Sequence, residues 1–239
     1  NTTYGIGEGE YTITLNNEMM DVAAIDDGQG NVYMDANTAN KKFNSRIYWQ
    51  ADENVILYAT PEGMAEYTPD STSYRIGDSS ESSDIPVVIS RDGMLYISLD
   101  FLKENTKMDC DVFTDPNRVV IRTVWGEADM TTVSGKKATI RYQGGIKSPV
   151  FRKLEKGEQL YVLDDGSGDE WAQVVTEDGY NGWVLNKYLE EPSTVTLEEP
   201  DFTEPEFTSI SKNYKINMAW HGVYSESANE ELEQILKET

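Results

Sequence analysis

KKATIRYQGGIKSPVFRKLEKGEQLYVLDDGSGDEWAQVVTEDGYNGWVLNKYL, running from Lys136 to Leu189, sets the fold of the middle of this chain. Five short apolar runs occur in it: Ala138 to Tyr142, Pro149 to Leu154, Gln159 to Leu163, Trp171 to Val175 and Gly182 to Leu185. Gly-Gly, Lys-Gly-Glu, Asp-Asp-Gly-Ser-Gly and Glu-Asp-Gly separate them. Short strands at even spacing, with a turn signal at every joint, predict a small antiparallel barrel. Asp178-Gly179 supplies the positive φ of a tight hairpin, and Gly166 and Gly168 do the same for a longer loop. Trp171, Trp183, Tyr161, Tyr180 and Tyr188 offer more aromatic surface than so small an interior needs.

The order of these residues resembles a bacterial Src-homology-3 domain of the kind found in secreted cell-wall proteins. The resemblance is carried by Arg141-Tyr142, Gly144-Gly145, Ser148-Pro149-Val150 and Lys156-Gly157-Glu158. It continues with Trp171 at the head of a strand, Gly179-Tyr180-x-Gly182-Trp183-Val184, and Tyr188-Leu189. It implies binding of envelope glycan or peptide without chemistry. The ligand-binding candidates are Arg141, Tyr142, Trp171, Tyr180, Trp183 and Tyr188; core packing is the competing reading of each aromatic.

With 239 residues, 38% of them apolar, the chain can bury one large or two modest cores. Its formal net charge is −23, which argues against nucleic acid as a partner, because phosphate binding depends on Lys and Arg releasing counterions. Anionic membranes are disfavoured equally. The charge is uneven: residues 1–130 carry −14, residues 131–190 carry −1 and residues 191–239 carry −8. Within the middle segment Lys136, Lys137, Arg141, Lys147, Arg152, Lys153 and Lys156 crowd the first half. Such a patch could meet an anionic wall polymer; the competing reading is a solvated face. No apolar run is long enough to cross a bilayer, so no membrane insertion is expected. Asn1 reads as the first residue of a processed or trimmed chain. One cysteine, Cys110, makes no internal disulfide, and with one histidine, His221, it cannot build the usual zinc site, so no metal or cofactor is expected.

Upstream lies an internal repeat. GNVYMDANTANKKFNSRIYWQADENVILYAT (Gly30 to Thr60) aligns with GMLYISLDFLKENTKMDCDVFTDPNRVVIRT (Gly93 to Thr123), with Tyr33 falling on Tyr96. Each copy predicts a strand, a short helix capped by Asp35 or Ser98, and two strands joined at Asp52-Glu53-Asn54 or Asp115-Pro116-Asn117. Tyr11, Ile13 and Leu15 alternate and turn at Asn16-Asn17, giving a leading hairpin. The prediction is a tandem ββαββ unit on an antiparallel sheet, with Thr68 to Asp84 as a long surface loop around one strand at Tyr74 to Ile76.

This pattern over residues 11–125 resembles the copper-amine-oxidase N-terminal-like domain, a stalk module that does no redox chemistry and needs no copper. It departs from the usual pattern in having Asp35 and Ser98 where Pro follows the strand.

Beyond the barrel, Glu191 to Ser211 contains three prolines and six acidic residues, the composition of an extended, self-repelling linker. Lys215 to Tyr224 then reads as a strand, and Asn229 caps a helix with Leu232, Ile235 and Leu236 on one side. This strand and helix resemble the opening of the family-18 glycoside hydrolase barrel. A whole (β/α)₈ barrel needs about 200 residues or more, so only its truncated start is expected in this chain. The acidic motif of that family is missing. The lone Asp-x-Asp, Asp109 and Asp111, reads as strand positions on alternate faces, and Asp164 to Asp169 reads as a turn because it lacks the oxygen-ligand spacing of a calcium loop. His221 beside Trp220 reads as structural.

The expected fold is therefore α+β followed by all-β. It comprises a tandem stalk-like domain (1–127, repeats about 11–60 and 74–124), a Src-homology-3-like barrel (131–190), an acidic linker (191–214) and a first βα unit (215–239). The expected role is non-catalytic binding of peptidoglycan or another cell-wall glycan or peptide, in the extracellular or cell-envelope part of a glycoside hydrolase. The alternative is a surface stalk or self-association module that binds no glycan.

Overall fold

The computed structural model of the chain describes residues 7–207. The expected βα unit at 215–239, with Trp220 and His221, lies outside the described residues. The chain forms two units, one built from the N-terminal residues up to Ala23 with Met108–Asp201, the other from Ala24–Lys107 with the described residues from Phe202 onward.

The leading hairpin is present as β1 (Glu10–Leu15) and β2 (Glu18–Asp26), turning at Asn16 and Asn17, both at positive φ. The first repeat follows as β3 (Val32–Asp35), α1 (Ala36–Lys42), β4 (Ile47–Gln50) and β5 (Val55–Thr60). Next come β6 (Gly63–Tyr67), β7 (Ser73–Ile76), β8 (Ser79–Ser82) and β9 (Val88–Arg91). The second repeat is β10 (Met94–Ser98), α2 (Leu99–Asn105), β11 (Asp109–Phe113) and β12 (Arg118–Arg122).

In the second unit the copies meet through their equivalent strands: β3 and β10 pair antiparallel, Tyr33 opposite Ser98 and Asp35 opposite Tyr96. Both caps form. The Thr38 amide donates to Asp35 Oδ1 at 2.7 Å, and the Phe101 amide donates to Ser98 Oγ at 3.3 Å. The polar helix α1 buries only Ala36 and Ala39, whose small side chains let it lie close to the sheet, whereas α2 buries Leu99 and Leu102. Asp35→Ala removes the cap of a helix with almost no apolar face, and is expected to cost about 1 kcal/mol, read as a lower urea midpoint.

Strands β4 to β8 form an antiparallel sheet in sequence order. The loop expected at Thr68 to Asp84 is thus a hairpin, β7 and β8. Its outer strand, Ser79–Ser82, is exposed at every position, so no burial alternation marked it. A buried polar knot holds the start of this sheet. Asn44 Nδ2 donates to the Asn105 carbonyl and to Thr106 Oγ1, and the Arg46 guanidinium donates to the Ala59 and Asn105 carbonyls over the Tyr58 ring.

In the first unit β1 pairs with β12 in parallel, Ile13 opposite Val119, a parallel pairing within the otherwise antiparallel strand pairs described for these sheets. Ile13, Val119 and Ile121 are all fully or almost fully buried, and bringing these runs side by side hides all of them. Asp109 and Asp111 are both exposed and flank buried Cys110; a strand repeats every two residues, so they share one face rather than alternating.

The five barrel strands lie where the turn chemistry put them: β14 (Thr139–Arg141), β15 (Val150–Lys153), β16 (Gln159–Asp164), β17 (Trp171–Thr176) and β18 (Asn181–Leu185). A one-turn 3₁₀ helix, Asn186–Tyr188, ends them. Two further strands complete this sheet, β13 (Gly126–Thr132) and β19 (Ser193–Leu197), in the order β15-β14-β18-β17-β16-β13-β19. Within the stretch expected as an extended linker, Ser193–Leu197 is corrected to a strand, while residues 198–207 have no helix or strand. Ser-Thr-Val-Thr-Leu is rich in strand-favouring residues, and it pairs with β13 from Ser193 opposite Met130 to Leu197 opposite Gly126. Farther on, Phe207 packs on the Tyr48 and Ala59 cluster of the second unit.

Candidate ligand-binding surface

Ile140, Leu154, Leu160, Ala172, Val174 and Val184 fill the barrel interior. Alternation along the strands sends their neighbours outward, and cross-strand partners share a face. Val150 lies opposite Arg141, Arg141 opposite Trp183, and Trp183 opposite Gln173. One row therefore crosses four strands on the outer side, and Trp171, two residues before Gln173, belongs to the same face. Both tryptophans are half-buried. The loop after β14 lies along them: a Cβ added at Gly144 would come within 3.4 Å of both indoles, a tight contact that glycine avoids. That loop is pinned by the Arg141 guanidinium donating to the Ser148 carbonyl at 2.7 Å and the Gln143 amide donating to Ser148 Oγ at 2.9 Å. Gln173 Nε2 donates to Asn181 Oδ1 at 3.0 Å, setting two amides beside the aromatic pair.

The tyrosines divide differently. Tyr142 stacks on Phe151 with centroids 3.7 Å apart, and Phe151 stacks on Tyr180 at 5.0 Å. The Arg118 guanidinium of β12 covers the Tyr180 ring at 4.3 Å and faces the Phe113 ring at 5.0 Å. This ladder runs from half-buried Tyr142 to Tyr180, which is 5% exposed and turned into the core, away from any ligand on the outer face. Tyr188 packs against the core from the 3₁₀ helix; a Cβ at Gly135 would overlap its ring. Of the six candidates, Arg141, Trp171 and Trp183 come together on the outer face, while Tyr142, Tyr180 and Tyr188 hold the barrel.

Asp178, in the turn between β17 and β18, anchors the ladder. Its carboxylate accepts from Arg118 Nη2 at 3.1 Å and from Arg152 Nε and Nη2 at 3.1 and 2.9 Å, and its carbonyl accepts from Arg118 Nε at 2.6 Å. Arg152 also bridges to Glu158. Burial pushes the Asp178 carboxyl up. The hydrogen bonds from Arg152 and Thr176 and the charges of Arg152 and Arg118 outweigh that and hold it below its usual 3.8. At Gly179 a Cβ would overlap Val120 of β12, so the turn sits directly on that strand. Gln173 and Asn181 carried no signal as site residues, being ordinary strand residues, and Gly144 and Val150 stood out only as parts of the family resemblance. Arg118 could not be linked to the barrel from spacing, lying 60 residues from Asp178.

Asp165 to Asp169 form a turn in which Asp165 Oδ1 accepts from the Ser167 amide and hydroxyl. Among the described residues no group of three or more His, Cys, Asp or Glu side chains is placed to hold a metal. This turn, Asn186 and Glu190 to Pro192 border a cleft of about 300 Å³ that Trp171 and Trp183 do not line.

Residues 136–190 match the family model for the bacterial SH3 domain. Residues 13–121 match the model for the copper amine oxidase N-terminal domain. No curated protein and no solved structure gives a significant match. Residues 13–121 contain no histidine and a single cysteine, Cys110, and no group of three or more His, Cys, Asp or Glu gathers there among the described residues, so the matched segment lacks the imidazole-bearing ligand set of the usual copper centres. Among the described residues no helix is long and apolar enough to cross a membrane.

Proposed function

We propose that this chain is a wall-binding and spacing region of an exported Gram-positive envelope protein. The barrel holds peptidoglycan through Trp171, Trp183 and Arg141, and residues 13–121 act as the stalk. Bacterial SH3 domains are often cell-wall binding, and the amine-oxidase-type module is a spacer. The observation that carries the reading is the pair of half-buried indoles beside Arg141 and the Gln173–Asn181 amides, on a face the core does not use. Indole faces take the apolar faces of sugar rings or of peptide planes, and amides and a guanidinium supply directional hydrogen bonds. The downstream part of the protein is read as a family-18-type glycoside hydrolase acting on the same polymer; this rests on the sequence at 215–239 alone.

The test is a nitrogen-15 NMR titration of the full chain with soluble peptidoglycan fragments. The indole Nε1 signals of Trp171 and Trp183 are expected to shift while those of Trp49 and Trp125 stay in place. Shifts confined to other residues, or none at millimolar fragment, would defeat the assignment.

A further inference from the structure

We propose a second binding surface on the barrel, separate from the aromatic face and not dependent on it: a lysine-lined site for a flexible phosphodiester polymer of the polyol-phosphate type. The site is built around the Ser134–Lys137 loop. The Gly157 amide donates to the Val133 carbonyl at 2.7 Å and the Leu154 amide to the Ala138 carbonyl at 2.9 Å, so the turn Leu154–Glu158 brackets this loop at both ends. From the other side the Ser134 amide donates to the Tyr188 carbonyl at 2.8 Å, which brings in the 3₁₀ helix. Lys153 is next to Leu154 and pairs across from Thr139. Four segments thereby gather Lys136, Lys137, Lys153, Lys156 and Lys187, all exposed.

Among the described residues Lys136, Lys137, Lys153 and Lys156 form no ion pair or side-chain hydrogen bond, and the Lys187 ammonium lies 5.0 Å from the Tyr188 ring centroid. Of the acids nearby, Glu158 is occupied by Arg152, leaving Glu155, which precedes Lys156 in the turn, and Glu190 against the five lysines. Unpaired cations concentrated at one place on a chain of net charge −23 form a local positive field in a negative surround. A stiff nucleic acid duplex would lie along the acidic remainder and be repelled, whereas a flexible chain can enter the patch alone. Lysine ammonium groups act as point charges without the planar fork that arginine uses for bidentate pairing, which suits phosphodiesters held in varied orientations. The aromatic ring at the site, Tyr188, is covered by Gly135 and Lys187, so it offers no platform for stacking bases.

The experiment is fluorescence anisotropy of a fluorescein-labelled glycerol-phosphate dodecamer with the full chain between 25 and 200 mM salt. Lys136→Glu with Lys137→Glu, and Lys153→Glu with Lys156→Glu, are each expected to weaken binding at least about tenfold. Each pair should also flatten the log-affinity against log-salt slope by about 1.4, roughly 0.7 per lost contact. Lys41→Glu with Lys42→Glu makes the same change in net charge in the other unit and is expected to stay within about twofold of the parent. Trp171→Ala with Trp183→Ala is expected to leave this affinity unchanged, so failure of the aromatic-face reading and failure of the lysine site give different results. Equal losses from the Lys41/Lys42 control, or variants of the patch that bind like the parent, would overturn the proposal. Tighter binding of a single-stranded DNA dodecamer would reassign the surface to nucleic acid.

Discussion

Asp178→Ala is expected to lower the unfolding free energy by about 3 kcal/mol, the lower end of the range for breaking a buried ion pair. Arg118 and Arg152 would lose the shared carboxylate. Arg118 has only 5% of its side chain exposed, so its guanidinium has little water to turn to. The Asp178 side chain is itself 25% exposed, which keeps the figure at the lower end. Asp178→Asn keeps the shape but not the charge, and should fall between the parent and the alanine variant. The loss also unseats the turn that rests on β12 through Gly179 and Val120, so the Tyr142–Phe151–Tyr180 ladder should loosen with it. Urea denaturation followed by tryptophan fluorescence reads the first effect, and near-ultraviolet circular dichroism the second.

The pH dependence has a definite sign. The folded carboxyl of Asp178 is held below its usual 3.8, so its stabilising contribution is present above that value and is lost as pH falls through the folded value. The parent's thermal midpoint should therefore drop below about pH 4, and the drop should be shallower in Asp178→Asn, which has no carboxyl to protonate. An equal drop in both would remove Asp178 from the account of acid sensitivity.

The second large effect is on binding. Trp171→Ala with Trp183→Ala should reduce retention on peptidoglycan at least about tenfold, in keeping with the share of affinity that a few buried-edge aromatics carry at an interface. Both rings are half-buried and opposite the barrel core, so part of the change will appear as stability. Tyr180→Phe serves as the contrasting variant: it keeps the ring under Arg118 and should leave retention near the parent's, because Tyr180 is turned into the core. The comparison that matters is retention at a temperature where all variants are folded.

What the sequence disclosed and what it hid follow from range. Gly-rich turns and apolar runs are local signals, so β14 to β18 and both helix caps were legible residue by residue. β13 and β19 were not: their outward positions are Glu, Asp and Thr, and they become strands by pairing with each other across 60 or more residues. The parallel pairing of β1 with β12 is equally remote, and no local pattern states which strand lies beside which. At the site, turn chemistry and aromatic excess pointed to the right segment but could not sort its rings. Tyr142 and Tyr180 look like surface aromatics until Phe151 is seen between them and Arg118 above.

The measurement closest to the central claim is co-sedimentation of the full chain with purified insoluble peptidoglycan and with chitin, at 50 and 300 mM salt. Retention on peptidoglycan that survives the higher salt and falls at least about tenfold with Trp171→Ala and Trp183→Ala is the predicted result, since stacking on indoles is little screened by ions. No retention of the folded parent chain on either polymer would contradict the account and leave residues 136–190 as a spacer.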